Sequence, residues 1–166
     1  DGRNDRPMVP GTAGRGYGSE LATVFSADFV DPVSENPPMY SGKDEDGEWV
    51  RGFPFEVTDE VMAMGQQKYT IFCAVCHGAS GDGNGVVKQY EGASLIASLL
   101  QERLMGMAEG EIFNTITHGK LNMGAYGMKL RPEERWAVIA YVRALQLASS
   151  ASVDDVPEQF KSELGL

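Results

Sequence analysis

Residues 69–78 read Tyr69-Thr70-Ile71-Phe72-Cys73-Ala74-Val75-Cys76-His77-Gly78, and this stretch decides the fold. It contains both cysteines of the 166-residue chain and one of its two histidines. Two thiols separated by two residues on a helical turn lie on one side of the backbone, and the imidazole that follows reaches the same side. This Cys-x-x-Cys-His spacing is the attachment motif of a c-type haem. It predicts one covalently bound haem c, with Cys73 and Cys76 as thioethers and His77 as the proximal iron ligand.

Two other uses of the paired cysteines fit the sequence less well. A redox-active dithiol expects a βαβ context and usually a small or proline-containing pair between the cysteines, and the sequence shows neither. A zinc site completed by His118 would force the adjacent Cys76 and His77 into one tetrahedral site. With two cysteines in all, a four-cysteine zinc or iron–sulfur site and a second haem attached by this motif are excluded.

The second axial ligand of the iron decides between an electron carrier and a haem enzyme or ligand sensor. Met123 is the favoured ligand because it lies in a glycine-punctuated loop between two predicted helices, and Met128 is the alternative. Met105 and Met107 lie beside a predicted helix and are expected to fill core space. His118 is a further candidate ligand; otherwise it is expected near a helix C-terminus, where a cation is favourable. No catalytic acid, base or nucleophile is predicted.

Helical periodicity and end signals predict an all-α domain of about four helices around one haem. Thr58 is expected to cap the first helix, and the glycines between residues 78 and 85 predict a loop that includes the turn Asp82-Gly83-Asn84. Gly119 is expected to end the third helix. The predicted helices are residues 59–72, 93–100, 108–117 and a last one that starts at the Pro132 turn and runs to Leu147.

The chain divides into three parts by composition. Residues 1–58 hold 6 of the 8 prolines and 8 of the 20 glycines, with a net charge of −6, which predicts an extended arm that packs on the domain or on a partner. A disordered linker is the alternative for this arm. Residues 59–148 form the predicted haem domain with a net charge of −1, and residues 149–166 form a short acidic tail of −3.

Overall charge and hydropathy exclude two classes of function. The net charge of −10 argues against a nucleic-acid partner, because neutralising phosphates requires clustered Lys and Arg. The apolar runs are far shorter than the roughly 20 residues that a membrane-spanning helix needs.

The chain begins at Asp1 rather than Met, which predicts a processed or truncated product.

Together these residues resemble class I c-type cytochromes over roughly residues 59–147. The resemblance rests on the Cys73–His77 motif, the glycine loop that follows it, Met123 with Tyr126, and pairs of packing residues on the first and last helices. In such cytochromes the first helix crosses the last, with a small residue and an aromatic residue at the contact. The resemblance implies that Gly65 and Tyr69 face the residues Trp136, Ala140 and Tyr141.

A narrower resemblance is to the monohaem cytochrome c subunit of bacterial alternative complex III. It is carried by the stretches 69–78, 81–85, 110–114, 122–123 and 135–146, and by Met39-Tyr40-Ser41-Gly42 in the arm. It implies a subunit of a membrane quinol-oxidising complex on the periplasmic side, peripheral or lipid-anchored. The implied acceptor is a soluble cytochrome, a high-potential iron–sulfur protein or a terminal oxidase. The alternatives are a sensor or enzyme, a cytochrome domain of another oxidoreductase, and an interaction module built on the arm.

One departure from the class I pattern concerns the proximal histidine. Many class I cytochromes place a proline after the attachment loop, in the region that supplies the carbonyl orienting the imidazole. Here no proline lies between Val86 and Arg131. The sequence therefore predicts a hydrogen-bond partner for His77, as at any haem histidine, without naming it.

Overall fold

The computed structural model describes residues 37–90 and 96–165, and within these residues the chain is all-α. Backbone pairing of extended segments in this part is limited to two isolated bridges, Lys43–Trp49 and Lys120–Met123. The helices are α1 (Pro37–Ser41), α2 (Asp59–Phe72), α3 (Ala74–His77), α4 (Glu102–Met105), α5 (Glu109–His118), α6 (Pro132–Ser150) and α7 (Glu158–Lys161). Short 3₁₀ turns occupy Val86–Gln89, Val153–Asp155 and Ser162–Leu164. This is the all-α architecture that the sequence predicts.

The core forms where α2 and α5 pack against α6. Trp136 is fully buried, and its ring stacks on Phe113 of α5 with centroids 4.8 Å apart. Tyr69 of α2 is 1% exposed and lies against Tyr141 of α6, with ring centroids 5.4 Å apart. Burying aromatic side chains of this size supplies most of the apolar stabilisation of a small domain.

Gly65 allows α2 and α6 to approach closely. A Cβ atom at Gly65 would overlap the carbonyl oxygen of Ala137 and would lie 3.1 Å from the Cβ of Tyr141. The predicted contact between the first and last helices is therefore present, with one correction to its members. Gly65 contacts Ala137 and Tyr141 rather than Trp136. The ring of Trp136 instead contacts Phe113 on α5 and Phe53, which lies before α2 in the chain.

The segment from Pro37 to Val57 lies on α5 and α6. The amide of Gly110 donates to the carbonyl of Val50 (2.9 Å), and the amide of Val50 donates to the carbonyl of Gly42 (3.1 Å). A Cβ atom at Gly110 would overlap the Gly42 carbonyl oxygen, so two glycine backbones meet there. Trp136 Nε1 donates to the carbonyl of Met39 (2.9 Å). Residues 37–57 of the predicted arm thus contact α5 and α6. Residues 1–36 lie outside the described residues.

Arg143 on α6 ties this segment to the neighbouring elements. Its Nε donates to Glu109 Oε1 (2.7 Å), and its guanidinium also donates to the carbonyls of Met105 (2.9 Å) and Met107. Glu109 Oε2 in turn accepts the amide of Gly52 (2.8 Å). Burial alone would raise the pKa of Glu109, but the hydrogen bonds from Gly52 and Arg143 outweigh it and hold that pKa below its usual range.

The helix predictions hold at three places out of four. The helix Asp59–Phe72 is present, and Thr58 Oγ1 accepts a hydrogen bond from the Val61 amide (3.4 Å). Helix α5 ends before Gly119, as expected. Helix α6 continues three residues past Leu147. The prediction of a helix over 93–100 is wrong for residues 96–100, which form an irregular segment and a turn. Residues 93–95 lie outside the described residues. The backbone of 96–100 is bonded elsewhere, as the site below shows.

Two remaining expectations concern the methionines near α4 and the membrane. Met105 does not fill core space, because the residue is 36% exposed, although its carbonyl accepts a hydrogen bond from Arg143. Met107 is partly buried. Of the helices in residues 37–90 and 96–165, none combines the length and apolar character needed to cross a bilayer.

Candidate haem site

The Cys-x-x-Cys-His motif lies where α2 ends and α3 begins. Cys73 joins the two helices. Its amide donates to the Tyr69 carbonyl of α2 (2.8 Å), and its carbonyl accepts the His77 amide of α3 (2.8 Å). Cys73 and Cys76 are free thiols, and both are partly buried. Burial raises the pKa of the Cys73 thiol to about 12, and the neighbouring Cys76 adds to the shift. Both sulfurs and the imidazole of His77 are thereby presented by one short helical turn.

The glycine loop after the motif wraps back onto it. The buried hydroxyl of Tyr69 donates to Gly78 O (2.7 Å), and the amide of Gly83 donates to His77 O (2.8 Å). The amide of Gly85 donates to Cys76 O (3.1 Å), and a Cβ atom at Gly85 would overlap the carbonyls of Val75 and Cys76. The loop therefore needs glycine at position 85 to lie this close to the motif.

The Asp82–Asn84 part of this loop is a hydrogen-bonded turn. Asp82 Oδ1 accepts the amide of Asn84 (2.9 Å), and Asp82 Oδ2 accepts from Asn84 Nδ2 (2.8 Å). These bonds lower the pKa of the Asp82 carboxyl. The expected glycine-rich turn is therefore what the structure shows at this position.

His77 is oriented by a backbone carbonyl. Its Nδ1 lies 3.1 Å from the carbonyl oxygen of Ala97. Since a carbonyl only accepts, Nδ1 carries a proton, and in the neutral ring Nε2 then presents a lone pair. Burial lowers the pKa of His77, while the bond to Ala97 opposes that shift. The ring is thus held as a neutral imidazole with one nitrogen available to a metal.

The position of the Ala97 carbonyl is fixed by the loop and by α6. The amide of Leu99 donates to Gly81 O (2.7 Å), and Gln146 Nε2 donates to Leu99 O (2.8 Å). Gln146 is only 4% exposed on α6. These bonds explain why residues 96–100 do not form the predicted helix, and they supply the partner of His77 that the sequence leaves unnamed.

Met123 lies in a tight turn next to the motif. Lys120 and Met123 exchange two backbone hydrogen bonds of 3.0 Å each, and the Met123 side chain is partly buried against the core. The ring of Tyr126 contacts Phe72 edge-to-face, with centroids 6.3 Å apart. Burial raises the pKa of Tyr126, and the charges of Cys73 and Cys76 add to the shift. Tyr126, three residues after Met123, therefore lies near both cysteines.

The other predicted ligand candidates lie elsewhere. The side chain of Met128 is 88% exposed. His118 is in the last turn of α5, as expected, and lines a cleft with Thr117, Met128 and the buried Arg135. Among residues 37–90 and 96–165, no group of three or more His, Cys, Asp or Glu side chains is arranged to hold a metal ion.

The family of the chain follows from a match over the region just described. A family model described as "Cytochrome C oxidase, cbb3-type, subunit III" matches residues 60–142, which is half of the chain. The chain belongs to this cytochrome c family. A cytochrome c domain implies covalently bound haem and haem-based electron transfer.

Two solved structures are similar to this cytochrome. One is the "Kuenenia stuttgartiensis reducing HAO-like protein complex Kustc0457/Kustc0458", with 21% identity, a TM-score of 0.48 and coverage of 57% of this chain. The cytochrome spans 47% of that structure's chain. The other is cytochrome CL from Methylophaga aminisulfidivorans MPT, with 17% identity, a TM-score of 0.47, and coverage of 83% of this chain and 91% of that one. No curated protein matches the cytochrome.

Sequence reasoning missed the residues that support the motif from a distance. The Ala97 carbonyl carries no signal in the residue type, because any residue supplies one. Gln146 did carry a signal, since an amide on the buried face of α6 needs partners there. The motif could therefore be found in the sequence, whereas the backbone contact that orients His77 could not.

Proposed function

We propose that this cytochrome is a monohaem electron carrier in which Cys73 and Cys76 hold the haem as thioethers and His77 and Met123 bind its iron. The observation that carries the proposal is the hydrogen bond from His77 Nδ1 to the Ala97 carbonyl. Such a bond fixes the tautomer and ring orientation of a metal-binding histidine and leaves Nε2 for the metal. The haem would supply a reversible one-electron change at iron.

The cysteines fit thioether attachment better than thiol exchange. A thiol that attacks disulfides must be a thiolate near neutral pH and open to solvent. Cys73 is partly buried, and burial raises its pKa to about 12, so its thiol stays protonated at neutral pH. Because two partly buried sulfurs beside an oriented imidazole match the donor set of a c-type haem, these residues fit the group.

Met123 is supported over the other candidates by its surroundings. Its thioether is partly buried on the core and lies in the same loop as Tyr126, whose ring contacts Phe72 next to Cys73. Met128 is 88% exposed, and His118 lines a cleft with Met128 and Arg135. A buried thioether ligand raises the reduction potential and closes the iron to small ligands, which suits a carrier rather than a sensor.

The chain's own residues have positioning roles in this mechanism. Tyr69 and the glycine loop fix the turn that presents His77, and Gln146 fixes the segment that holds Ala97. Phe72, which precedes Cys73, and Tyr126 contact each other edge-to-face and offer apolar surface at the end of α2. Outer-sphere electron transfer of this kind needs no proton transfer and no bond to a substrate.

A redox titration of the haem-loaded protein tests the proposed function. We expect a single one-electron transition, a low-spin ferrous spectrum and no binding of carbon monoxide, because both axial positions are filled. Haem should remain with the chain in acidified organic solvent. A high-spin ferrous spectrum with ready carbon monoxide binding would instead assign the protein to haem sensors or enzymes.

We further propose that the cytochrome acts as a subunit of alternative complex III, a quinol-oxidising respiratory complex, at the periplasmic face of the bacterial membrane. The support is the resemblance in the stretches 69–78 and 135–146 and in Met39–Gly42. The electrons would pass to a soluble cytochrome, a high-potential iron–sulfur protein or a terminal oxidase. The test is purification of the native protein from membranes. Co-migration with quinol oxidation activity is expected, and recovery as a lone periplasmic protein would contradict the assignment.

A further inference from the structure

A chain of hydrogen bonds joins the segment before α2 to the backbone that orients the proximal histidine. At its outer end, the amide of Gly52 donates to Glu109 Oε2 (2.8 Å), and Glu109 Oε1 accepts from Arg143 Nε (2.7 Å). A second nitrogen of the same guanidinium donates to Gln146 Oε1 (2.7 Å), and Gln146 Nε2 donates to the Leu99 carbonyl (2.8 Å). We call the side chains of Glu109, Arg143 and Gln146 the relay.

Each hydrogen bond of the relay can run in one direction only. A guanidinium only donates, so Arg143 turns the oxygen of the Gln146 amide towards itself, and the amide nitrogen then points to the Leu99 carbonyl, which only accepts. The relay is also shielded from water, since Gln146 is 4% exposed and the side chains of Arg143 and Glu109 are 21% and 14% exposed. A bond broken at one place therefore cannot be restored by reversing its neighbour.

The relay ends on the segment that carries the Ala97 carbonyl. Leu99 lies two residues after Ala97, and its amide donates to the Gly81 carbonyl (2.7 Å). The backbone is closely packed here, because a Cβ atom at Gly83 would lie 3.4 Å from the carbonyl carbon of Ala97. The glycine loop and the relay thus both hold residues 97–99 in place. A displacement of Leu99 would move the carbonyl that accepts the Nδ1 hydrogen bond of the proximal histidine.

We propose that the relay makes the reduction potential of the haem depend on the contact between residues 37–57 and α5. The proposal rests on the proposed function, because the relay acts through the proposed iron ligand His77. A hydrogen bond from the outer nitrogen of a metal-binding histidine makes the ring a more basic ligand, which stabilises ferric iron. A break in the relay loosens this bond and therefore raises the potential. Glu109, Arg143 and Gln146 are thus positioning residues, and a partner that lifts residues 37–57 from α5 would raise the potential.

Two glycines of this segment give a matched pair for the test, a redox titration of the haem-loaded proteins. Gly52 and Gly47 have φ of +94° and +80°, and a Cβ atom at either position meets no other atom of the described residues within 4 Å. Alanine therefore strains both backbones alike. The Gly52 amide bonds to Glu109, whereas the Gly47 amide bonds to the Asp44 carbonyl (3.1 Å). We expect G52A to raise the ferrous-to-ferric ratio at a fixed ambient potential roughly twofold, or ~18 mV, and G47A to leave it unchanged.

The inner end of the relay is tested by two changes that conserve charge. Q146M removes the donor to the Leu99 carbonyl and should raise the same ratio roughly threefold, or ~28 mV. It should also speed deuterium exchange at His77 Nδ1 in the ferrous protein, measured by NMR. R143K cannot donate to Glu109 and Gln146 as the guanidinium fork does, so it should raise the ratio as well. The double variant should shift the potential no further than Q146M alone, because both changes break one path.

A second matched pair repeats the test if G52A does not fold. E109Q leaves one acceptor for two donors, whereas E111Q removes the same charge from α5 outside the relay, so E109Q should raise the potential more. Equal potentials within either matched pair, an unshifted Q146M, or additive shifts from R143K and Q146M would overturn the proposal. Failure of the proposed function is distinguishable, because it would show as a missing one-electron transition in the wild type.

Discussion

Gly65 shows how a single missing side chain sets the distance between the two long helices. Glycine in a helix interior costs about 1 kcal/mol relative to alanine, so α2 bears a penalty at this position. The structure explains it, since a Cβ atom would overlap the backbone carbonyl of Ala137, which cannot rotate away as a side chain can. The close approach in turn lets Tyr69 reach both Tyr141 and Gly78.

Gly65→Ala is expected to destabilise the protein by about 2 kcal/mol, because overpacking against backbone outweighs the gain in helix propensity. Denaturant unfolding followed by circular dichroism measures the change. Gly124→Ala is the matched control, since a Cβ atom there meets nothing within 4 Å, and a shift of no more than about 0.5 kcal/mol is expected. A neutral or stabilising Gly65→Ala would show that α2 and α6 do not pack as described.

At the scale of elements, Arg143 and Glu109 join four parts of the chain. Through them α6 is tied to α5, to the carbonyl of Met105 at the end of α4 and, by the Gly52 amide, to the segment that precedes α2. Only 14% of the Glu109 side chain is exposed. Removing one partner of such a pair leaves a partly buried charge without compensation, which costs far more than losing a surface pair.

Arg143→Met is expected to lower the free energy of unfolding by about 3 kcal/mol. Arg143→Lys should recover part of that loss, because an ammonium keeps the charge but cannot reproduce the fork of donors. The comparison variant is Lys161→Met, whose pair with the exposed Glu158 lies in the tail and should contribute less than about 0.5 kcal/mol. Equal losses for the Arg143 and Lys161 variants would mean that the Arg143 contacts do not hold these elements together.

For the whole molecule, partly buried carboxylates set the response to acid. Glu134 Oε1 lies 2.7 Å from Lys68 Nζ and 3.6 Å from a guanidinium nitrogen of Arg131. Burial would raise the pKa of Glu134, but hydrogen bonds and charges from Lys68 and Arg131 lower it. The pKa of Glu109 is also lowered. A carboxyl whose pKa is lower in the folded state than in the unfolded state stabilises the protein at pH values above the unfolded pKa, which is near 4.5. This stabilisation is lost as the pH falls towards the folded pKa.

Stability is therefore expected to decline steadily below about pH 4.5 as these two carboxyls take up protons. The double variant Glu109→Gln and Glu134→Gln should be less stable than the wild type at pH 7 and should show a shallower loss with acid. Urea unfolding at a series of pH values provides the slopes. Parallel slopes for the two proteins would contradict this account of acid sensitivity.

Local signals predicted much of the fold, and tertiary contacts decided the rest. The α2 boundaries followed from the Thr58 cap and the acidic first turn, and the haem motif from its cysteine and histidine spacing. Residues 96–100 have apolar spacing that also fits a helix, but their backbone bonds to Gly81 and Gln146 instead. The partner of His77 could not be predicted, because a main-chain carbonyl leaves no trace in the sequence.

The central claim is that a haem iron is held between His77 and Met123. The most direct measurement is the weak far-red absorption band that thioether ligation gives a ferric haem, recorded for the wild type, Met123→Ala and Met128→Ala. We predict that the band is present in the wild type and in Met128→Ala and absent in Met123→Ala, which should also gain carbon monoxide binding when reduced. A wild type without the band, or a Met123→Ala variant that retains it, would contradict the account.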